Sequence, residues 1–383
     1  QLNYLEKNMK CKTLAVSMTN SHLLNTGLGE FEKSIGIRLA DKAPMLLDKY
    51  GIKLLFLVDK EMVGAFGDNV DYYVINKVRR ELLKNSLFTP LRRWLLPSVD
   101  MVHWTNQFYK FRVRIAPKLL VTVHDFNFMH NEITGLHKRK KLMVTTRRLD
   151  QATHLSFISN FTEQDVKRYY DFKQPARVIC NGVTNLNTKT QEQYDKELEG
   201  MGVPKTFLFH ISRWSRKKNV ILILEMMKHL PDEHLVLAGT AGEKFEKLVY
   251  DTIESLQLKN VTVVGKVTGE QKAALLSRCK GLLFPSMSEG FGLPVVEAMC
   301  FGKPSFLTRL TSLPEVGGDI SYYFDSLDAK DMAETVCKGL ADYASAPEEK
   351  AEKLKQRAAM FSWDRAVDEY VQFYIDILCG KEK

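Results

Sequence analysis

Two glutamates, Glu289 and Glu297, stand eight positions apart around the turn Gly290-Phe291-Gly292-Leu293-Pro294. The apolar run Gly281-Leu282-Leu283-Phe284 before them predicts a buried strand, which Pro285 ends. After the turn, Pro294 suits the first turn of a helix, and Val295, Val296, Ala298 and Met299 supply its apolar face. A strand, a glycine loop and a helix start aim backbone N–H groups and a positive dipole end at an anion. The N–H groups of Phe291, Gly292, Leu293 and Val295 are expected to face that anion, whereas Pro294 has none to offer. Glu289 falls in the loop and Glu297 about one turn into the helix. Donors for phosphate beside carboxylates for hydroxyls suit a phosphorylated sugar.

Other polar residues stand where predicted strands end, the place at which open α/β sheets bind ligands. Arg213 and Lys218 follow a strand expected at residues 207–211. Arginine can fork onto phosphate oxygens and lysine adds a point charge. Gly239-Thr240 and Gly265-Lys266-Val267 follow two further strands. Gly27-Leu28-Gly29 opens a helix after the first strand. His124-Asp125 closes a strand at residues 119–123, and His103-Trp104 closes its neighbour. There is no Asp-x-Asp pair for a metal, so Arg213 and Lys218 are expected to carry the charge that a divalent ion carries elsewhere.

The set Ser212-Arg213, Lys218-Asn219, Ser288 to Ala298, Gly302-Lys303-Pro304 and Ser312-Leu313-Pro314-Glu315-Val316 resembles the family 4 glycosyltransferases. The likeness is close over residues 205–340 and looser over 14–185. It implies the GT-B fold, two doubly wound Rossmann-like α/β domains facing a cleft, and retaining, metal-independent transfer of a hexose from a nucleotide sugar. By the same resemblance, Arg213 and Lys218 hold the donor diphosphate and stabilise the leaving group. Glu297 accepts from the ribose, Glu289 lies at the sugar hydroxyls, and His124 contacts the donor sugar. Gly27 and Gly29 approach donor phosphate and acceptor. Backbone around Gly239, Lys266 and Val267 holds the base, which leaves UDP-, GDP- and ADP-sugars equal as donors. No cofactor and no metal are expected. His103 is a candidate for shaping the acceptor pocket. Ser212, Asn219 and Thr184 stand where glycine, glycine and aspartate are commoner. The rival readings are an inactive sugar- or polyanion-binding homologue and a nucleotide-sugar 2-epimerase. A dehydrogenase fits less, because no GxGxxG follows the first strand.

The elements that must position these residues come in two α/β series. In the first, strands are expected at 12–18, 54–58, 101–104, 119–123, 155–159 and 177–180. Helices are expected from the Gly27-Leu28-Gly29 opening with Phe31, Ile35, Leu39 and Ala43 inward, near 78–87 up to Pro90, and at 136–152. Residues 185–205 are polar and read as the connection between domains. The second series places strands at 207–211, 235–238, 261–264, 281–284 and 304–308, with helices at 220–229, 245–256, 270–277 and 294–301. The boundaries are 1–183 for an acceptor-binding domain and 204–362 for a nucleotide-sugar domain. The broadly apolar helix at 363–383 is expected, by the resemblance, to return to the first domain.

At 383 residues two domains are the prior, and 45% apolar with 26% charged content is ordinary for a globular protein. No apolar run approaches the length of a membrane span, and the first residues carry no long apolar stretch, so neither a span nor a signal peptide is expected. A cytoplasmic location follows, with reduced thiols: the six cysteines are scattered and no CxxC occurs. Asn160-Phe161-Thr162 and Asn260-Val261-Thr262 are then chance matches to the glycosylation triplet. The net charge of +9 is uneven. Residues 1–180 hold 29 Lys and Arg against 17 Asp and Glu, and the remainder 26 against 29. Basic clusters with apolar residues at Arg79-Arg80, Arg92-Arg93-Trp94-Leu95-Leu96 and His137 to Lys141 point the first half at something anionic. The expected partners are a nucleotide-sugar donor and a sugar or lipid-linked acceptor, with peripheral membrane contact at the inner face and no nucleic acid.

Overall fold

The computed structural model describes residues 11–380 apart from 24–25, 77, 80, 82–96, 110–115 and 131–134. The helix expected near 78–87 falls mostly, and the basic cluster at 92–96 wholly, outside the described residues. The chain divides into two units: residues 1–182 with 363–383, and residues 183–362.

The first unit is built on a parallel sheet in the order β3-β2-β1-β4-β5-β6-β7. Its strands are β1 (Lys12–Ser17), β2 (Ile52–Val58), β3 (Asp71–Val74), β4 (Met101–Trp104), β5 (Lys118–Val123), β6 (His154–Phe157) and β7 (Ala176–Val178). The central strands are almost wholly buried, as both faces of a parallel sheet are covered by helices. The Gly27–Tyr50 helix starts at Thr26, whose hydroxyl accepts from Gly29 N, and stops at Gly51 with φ 62°. Phe31, Ile35, Leu39 and Ala43 form its buried face. The order reverses between β1 and β4, and the C-terminal ends of strands at such a reversal are where open α/β sheets bind ligands.

The Trp363–Cys379 helix belongs to this unit. Its width of apolar surface would be costly alone, and it carries polar groups that fit the sheet. The Tyr374 hydroxyl is hydrogen-bonded to His103 Nδ1 at 2.7 Å, and His103 Nε2 to the Thr122 hydroxyl at 2.7 Å. Tyr370 reaches Thr122 at 3.1 Å, and Arg177 donates to Asp376 at 2.6 Å. His103 is therefore a buried docking residue for this helix. Its expected part in an acceptor pocket is corrected: the ring is fully covered and both nitrogens are committed.

The second unit holds β8 (Leu208–Arg213), β9 (Leu235–Thr240), β10 (Val261–Gly265), β11 (Gly281–Phe284), β12 (Ser305–Thr308) and β13 (Tyr322–Phe324). Its parallel order is β10-β9-β8-β11-β12-β13, with the reversal between β8 and β11. Arg213 is the last residue of β8 itself rather than a residue beyond it. The polar stretch 185–205 is not simply a connection. Gln191–Leu198 is a helix within this unit, closed by a reciprocal Thr190–Gln193 cap and anchored by buried Tyr194. Its single buried aromatic explains why the segment reads as polar. Edge strands β3 and β13 were not expected from the sequence; each is only three or four residues long and only partly buried.

Candidate functional site

In the second unit, the loops that leave β8 and β11 are stapled to each other. Met287 N donates to Lys217 O at 2.8 Å, and Asn219 Nδ2 donates to Pro285 O at 2.8 Å. Asn219 sits at φ 54° as the entry to the Val220–Met227 helix, a backbone state that asparagine tolerates better than most residues. One layer below, His210 on β8 donates from Nδ1 to Leu283 O on β11 at 2.8 Å and accepts from Ser212 at Nε2. Burial holds this imidazole down at about 4. His210 has no counterpart in the sequence expectations, because its role is a contact between strands 73 positions apart.

This frame brings Lys218 to Glu289. The two side chains form an ion pair at one-fifth and one-seventh exposure, and Lys218 Nζ lies 5.4 Å over the Phe284 ring. The loop carrying Glu289 is held from a third direction. Glu289 N donates to Thr311 Oγ1 at 3.1 Å, and the buried Ser312 hydroxyl reaches Glu289 O at 3.1 Å and Phe291 O at 2.9 Å. The segment Ser312-Leu313-Pro314-Glu315-Val316 thus supports the glycine turn. Gly292 sits at φ 107°, and a Cβ there would come 3.0 Å from Leu313.

The Leu293–Cys300 helix starts directly at this turn with Pro294 in its first turn. The N–H groups of Phe291, Gly292 and Leu293 have no acceptor among the described residues. Val295 differs from expectation: its N–H donates to Gly292 O at 3.0 Å, because the first turn closes tightly, and it is not available to a ligand. The Phe291 ring is buried edge-on against Phe361 with centroids 5.4 Å apart. Arg213 is exposed at the end of β8 and makes no ion pair among the described residues.

Glu297 lies on the same helix and is almost buried. Lys272, from the Gly269–Arg278 helix, donates to its Oε1 at 2.5 Å. Lys272 was not singled out from the sequence. The one signal for it was a lysine in the first turn of a helix, where the dipole disfavours a cation. Gly239, the next-to-last residue of β9, sits at φ 120°, and a Cβ there would lie 1.8 Å from Ser212 O, so the close approach of β8 requires glycine. Lys266 is exposed and Val267 buried in the short link from β10 to the Thr268 cap.

The remaining expected residues belong to the first unit. Gly27 is exposed at the helix start, and Gly29 is buried where a Cβ would meet Leu23 O at 2.0 Å. His124, just after β5, donates from Nε2 to Thr105 O at 2.8 Å and meets Phe31 edge-on at 4.7 Å. Its Nδ1 has no partner among the described residues. Burial lowers its proton affinity to about 4, so near neutral pH it offers an acceptor lone pair rather than an acid. Thr105 also joins a buried carboxyl absent from the sequence reading. Glu32 accepts from Asn20 N at 2.5 Å, Asn20 Nδ2 at 2.7 Å and Thr105 Oγ1 at 2.5 Å. Burial without a cation pushes it up to about 7 despite these bonds.

The buried groups titrate with opposite signs. His124 and His210 are lowered to about 4 and His103 to about 3, so their contribution is present above about 6.5 and lost as pH falls toward those values. Glu32 is raised from 4.5 to about 7, so its contribution is present below 4.5 and lost as pH rises to about 7, on the order of 3 kcal/mol at most. The expected outcome is a denaturation midpoint that falls from pH 6.5 to 4, and that falls more steeply in Glu32→Gln, where the opposing carboxyl is gone. Equal slopes for the two proteins would contradict the assignment of Glu32.

Comparison with known proteins matches residues 192–360 to the family described as Glycosyl transferases group 1. A curated relative, the serotype-specific mannosyltransferase WbdA of Escherichia coli, is 29% identical over 231 residues, 56% of this chain and 28% of that protein. The match thus spans little more than a quarter of that relative. Among solved structures, the sucrose-phosphate synthase of Thermosynechococcus elongatus superposes with a TM-score of 0.74 at 17% identity, over 96% of this chain and all of that one. Anabaena HepE, solved in complex with UDP and glucose, superposes with a TM-score of 0.70 at 15% identity over 96% of this chain and all of that one. Those two likenesses establish the fold as GT-B.

Proposed function

We propose that this chain, whose residues 192–360 match the family of group 1 glycosyl transferases, is a family 4-type glycosyltransferase that moves a hexose with retention from an α-linked nucleotide diphosphate sugar to an acceptor hydroxyl. The reaction would serve polysaccharide or glycolipid synthesis. The observation that carries this reading is one cluster at the ends of β8 and β11: Arg213, Lys218, Glu289 and the open N–H groups of Phe291, Gly292 and Leu293. Cations and unpaired backbone donors suit a diphosphate. The name of the relative WbdA, a mannosyltransferase, and the UDP and glucose in the HepE structure support a nucleotide-sugar donor.

In this proposal, the diphosphate takes Lys218 from Glu289 and meets Arg213. The freed Glu289 carboxylate accepts from hydroxyls of the transferred sugar. As the glycosidic bond lengthens, charge collects on the leaving diphosphate, where Lys218, Arg213 and the turn N–H groups stabilise it. That phosphate can take the acceptor's proton on the same face, so no protein nucleophile and no divalent ion is required. In the first unit, His124, neutral near pH 7, offers an acceptor at Nδ1, and Gly27 is exposed at a helix start, whereas the Gly29 N–H is already committed to the Thr26 hydroxyl. The nucleoside would lie toward Gly239, Lys266, Val267 and Glu297.

Turnover is expected to persist in EDTA. Arg213→Ala is expected to lower kcat by about 10²–10³, or roughly 3–4 kcal/mol, with a much smaller loss of nucleotide affinity. Steady-state kinetics with UDP-, GDP- and ADP-hexoses decide it. A fall below tenfold in a folded variant removes Arg213 from this role.

The Leu136–Gln151 helix supports a membrane-proximal acceptor. Arg139 and Lys140 are exposed beside outward-facing Leu136 and Met143, and Lys141 lies 4.8 Å over the Phe128 ring. Among the described residues no helix is long and apolar enough to cross a membrane. Each cation near an anionic surface contributes about 1 kcal/mol, screened over roughly 8–10 Å. Liposome flotation should therefore show binding that rises with anionic lipid, falls with salt, and weakens on charge reversal of Lys138, Arg139 and Lys140. Equal binding to neutral and anionic vesicles would contradict it.

A further inference from the structure

Lys272 is the fourth residue of the Gly269–Arg278 helix, close to the positive end of its dipole. A cation is disfavoured there. This one is only one-quarter exposed, and its ammonium reaches across to the neighbouring Leu293–Cys300 helix, where it donates to Glu297 Oε1 at 2.5 Å. Glu297 is about one-tenth exposed. A carboxylate so far out of water depends on its partner, because removing one member of a covered pair leaves the other uncompensated.

The pair is asymmetric in a way that points outward. One oxygen of Glu297 is committed to Lys272, while Oε2 has no partner among the described residues. An anionic oxygen held still, with open lone pairs, is an acceptor for a hydroxyl and repels a phosphate. The Lys218 and glycine-turn cluster has the opposite preference. The two therefore sort the ends of a ligand that carries both groups. Lys272 also ties the helix that follows Lys266 and Val267 to the helix that follows the glycine turn, so this contact joins the two segments expected to border a nucleoside.

We infer that Lys272 is a positioning residue that fixes Glu297 so its open carboxylate oxygen takes a ribose hydroxyl of the donor nucleotide. This rests on the nucleotide-sugar reading proposed above. Lys272 touches Glu297 and not the reacting atoms, so it governs which nucleotides bind rather than how fast a bound donor reacts.

The test is binding by calorimetry in EDTA, first of UDP, GDP and ADP to the unaltered protein, then of the 2′-deoxy and 3′-deoxy forms of the tightest binder. A hydrogen bond to a charged group supports a preference for the ribonucleotide over at least one deoxy form of about tenfold or more. In Lys272→Met that preference is expected to fall toward one, and in Lys272→Arg to be largely kept, with kcat at saturating donor changed by less than about threefold in both. Lys272→Gln covers the case in which Lys272→Met does not fold, and it too should lower the preference at least about threefold. A folded Lys272→Met or Lys272→Gln that discriminates as the unaltered protein does overturns the inference, whatever its melting temperature. If the unaltered protein binds none of the three diphosphates, the nucleotide reading itself fails. If it binds them without preferring ribose, only the role given to Lys272 and Glu297 fails.

Discussion

The end of a parallel strand pair is an electrostatic problem before it is a binding site. At the ends of β8 and β11 the N–H groups of Phe291, Gly292 and Leu293 have no acceptor among the described residues, and Arg213 and Lys218 add two cations. In this chain Glu289 answers part of that charge by pairing with Lys218. The site is thus partly neutralised by its own carboxylate, at a position where neither side chain is well hydrated. Any anion that enters must compete with Glu289 for Lys218, and the carboxylate it displaces is left beside the entering molecule. A group that offers both negative oxygens and hydroxyls satisfies both partners, which a bare anion does not.

The rest of the second unit can be understood as support for that pair. His210 fastens the two strands, Asn219 and Lys217 fasten the two loops, and Thr311 with Ser312 fixes the glycine turn from behind. Each is a bond between segments distant in sequence. The Lys272–Glu297 pair repeats the arrangement on the helix that follows the glycine turn. Two lysine–glutamate pairs of similar make-up then serve different ends: one is expected to open on binding, the other to stay closed.

The parts legible from sequence were those whose signal is local. The apolar runs of β1, β2, β5 and β11 announce buried strands, and Gly292 followed by Pro294 announces a helix start on a glycine turn. Arg213, Lys218, Glu289 and Glu297 stood out because they flank such elements. What stayed hidden depends on partners far away. His103 looks like a strand-end histidine with chemistry to do until Tyr374, 271 positions on, covers it. Lys272 is one of many lysines until Glu297 is seen beside it. Glu32 resembles any helix glutamate until Asn20 and Thr105 close over it. Edge strands β3 and β13 are too short and too little buried to stand out as apolar runs. The Gln191–Leu198 helix buries one tyrosine and so reads as a linker.

The claim on which the account turns is that Glu289 occupies Lys218 until a diphosphate replaces it. Isothermal titration of a nucleoside diphosphate without a sugar, in EDTA, against the unaltered protein and Glu289→Gln tests it directly. Since the diphosphate alone brings no hydroxyl for Glu289 to accept, the competing carboxylate only opposes it. Glu289→Gln is expected to bind the diphosphate several-fold more tightly while turning over the sugar donor more slowly. Unchanged or weaker diphosphate binding in a folded Glu289→Gln would contradict the account.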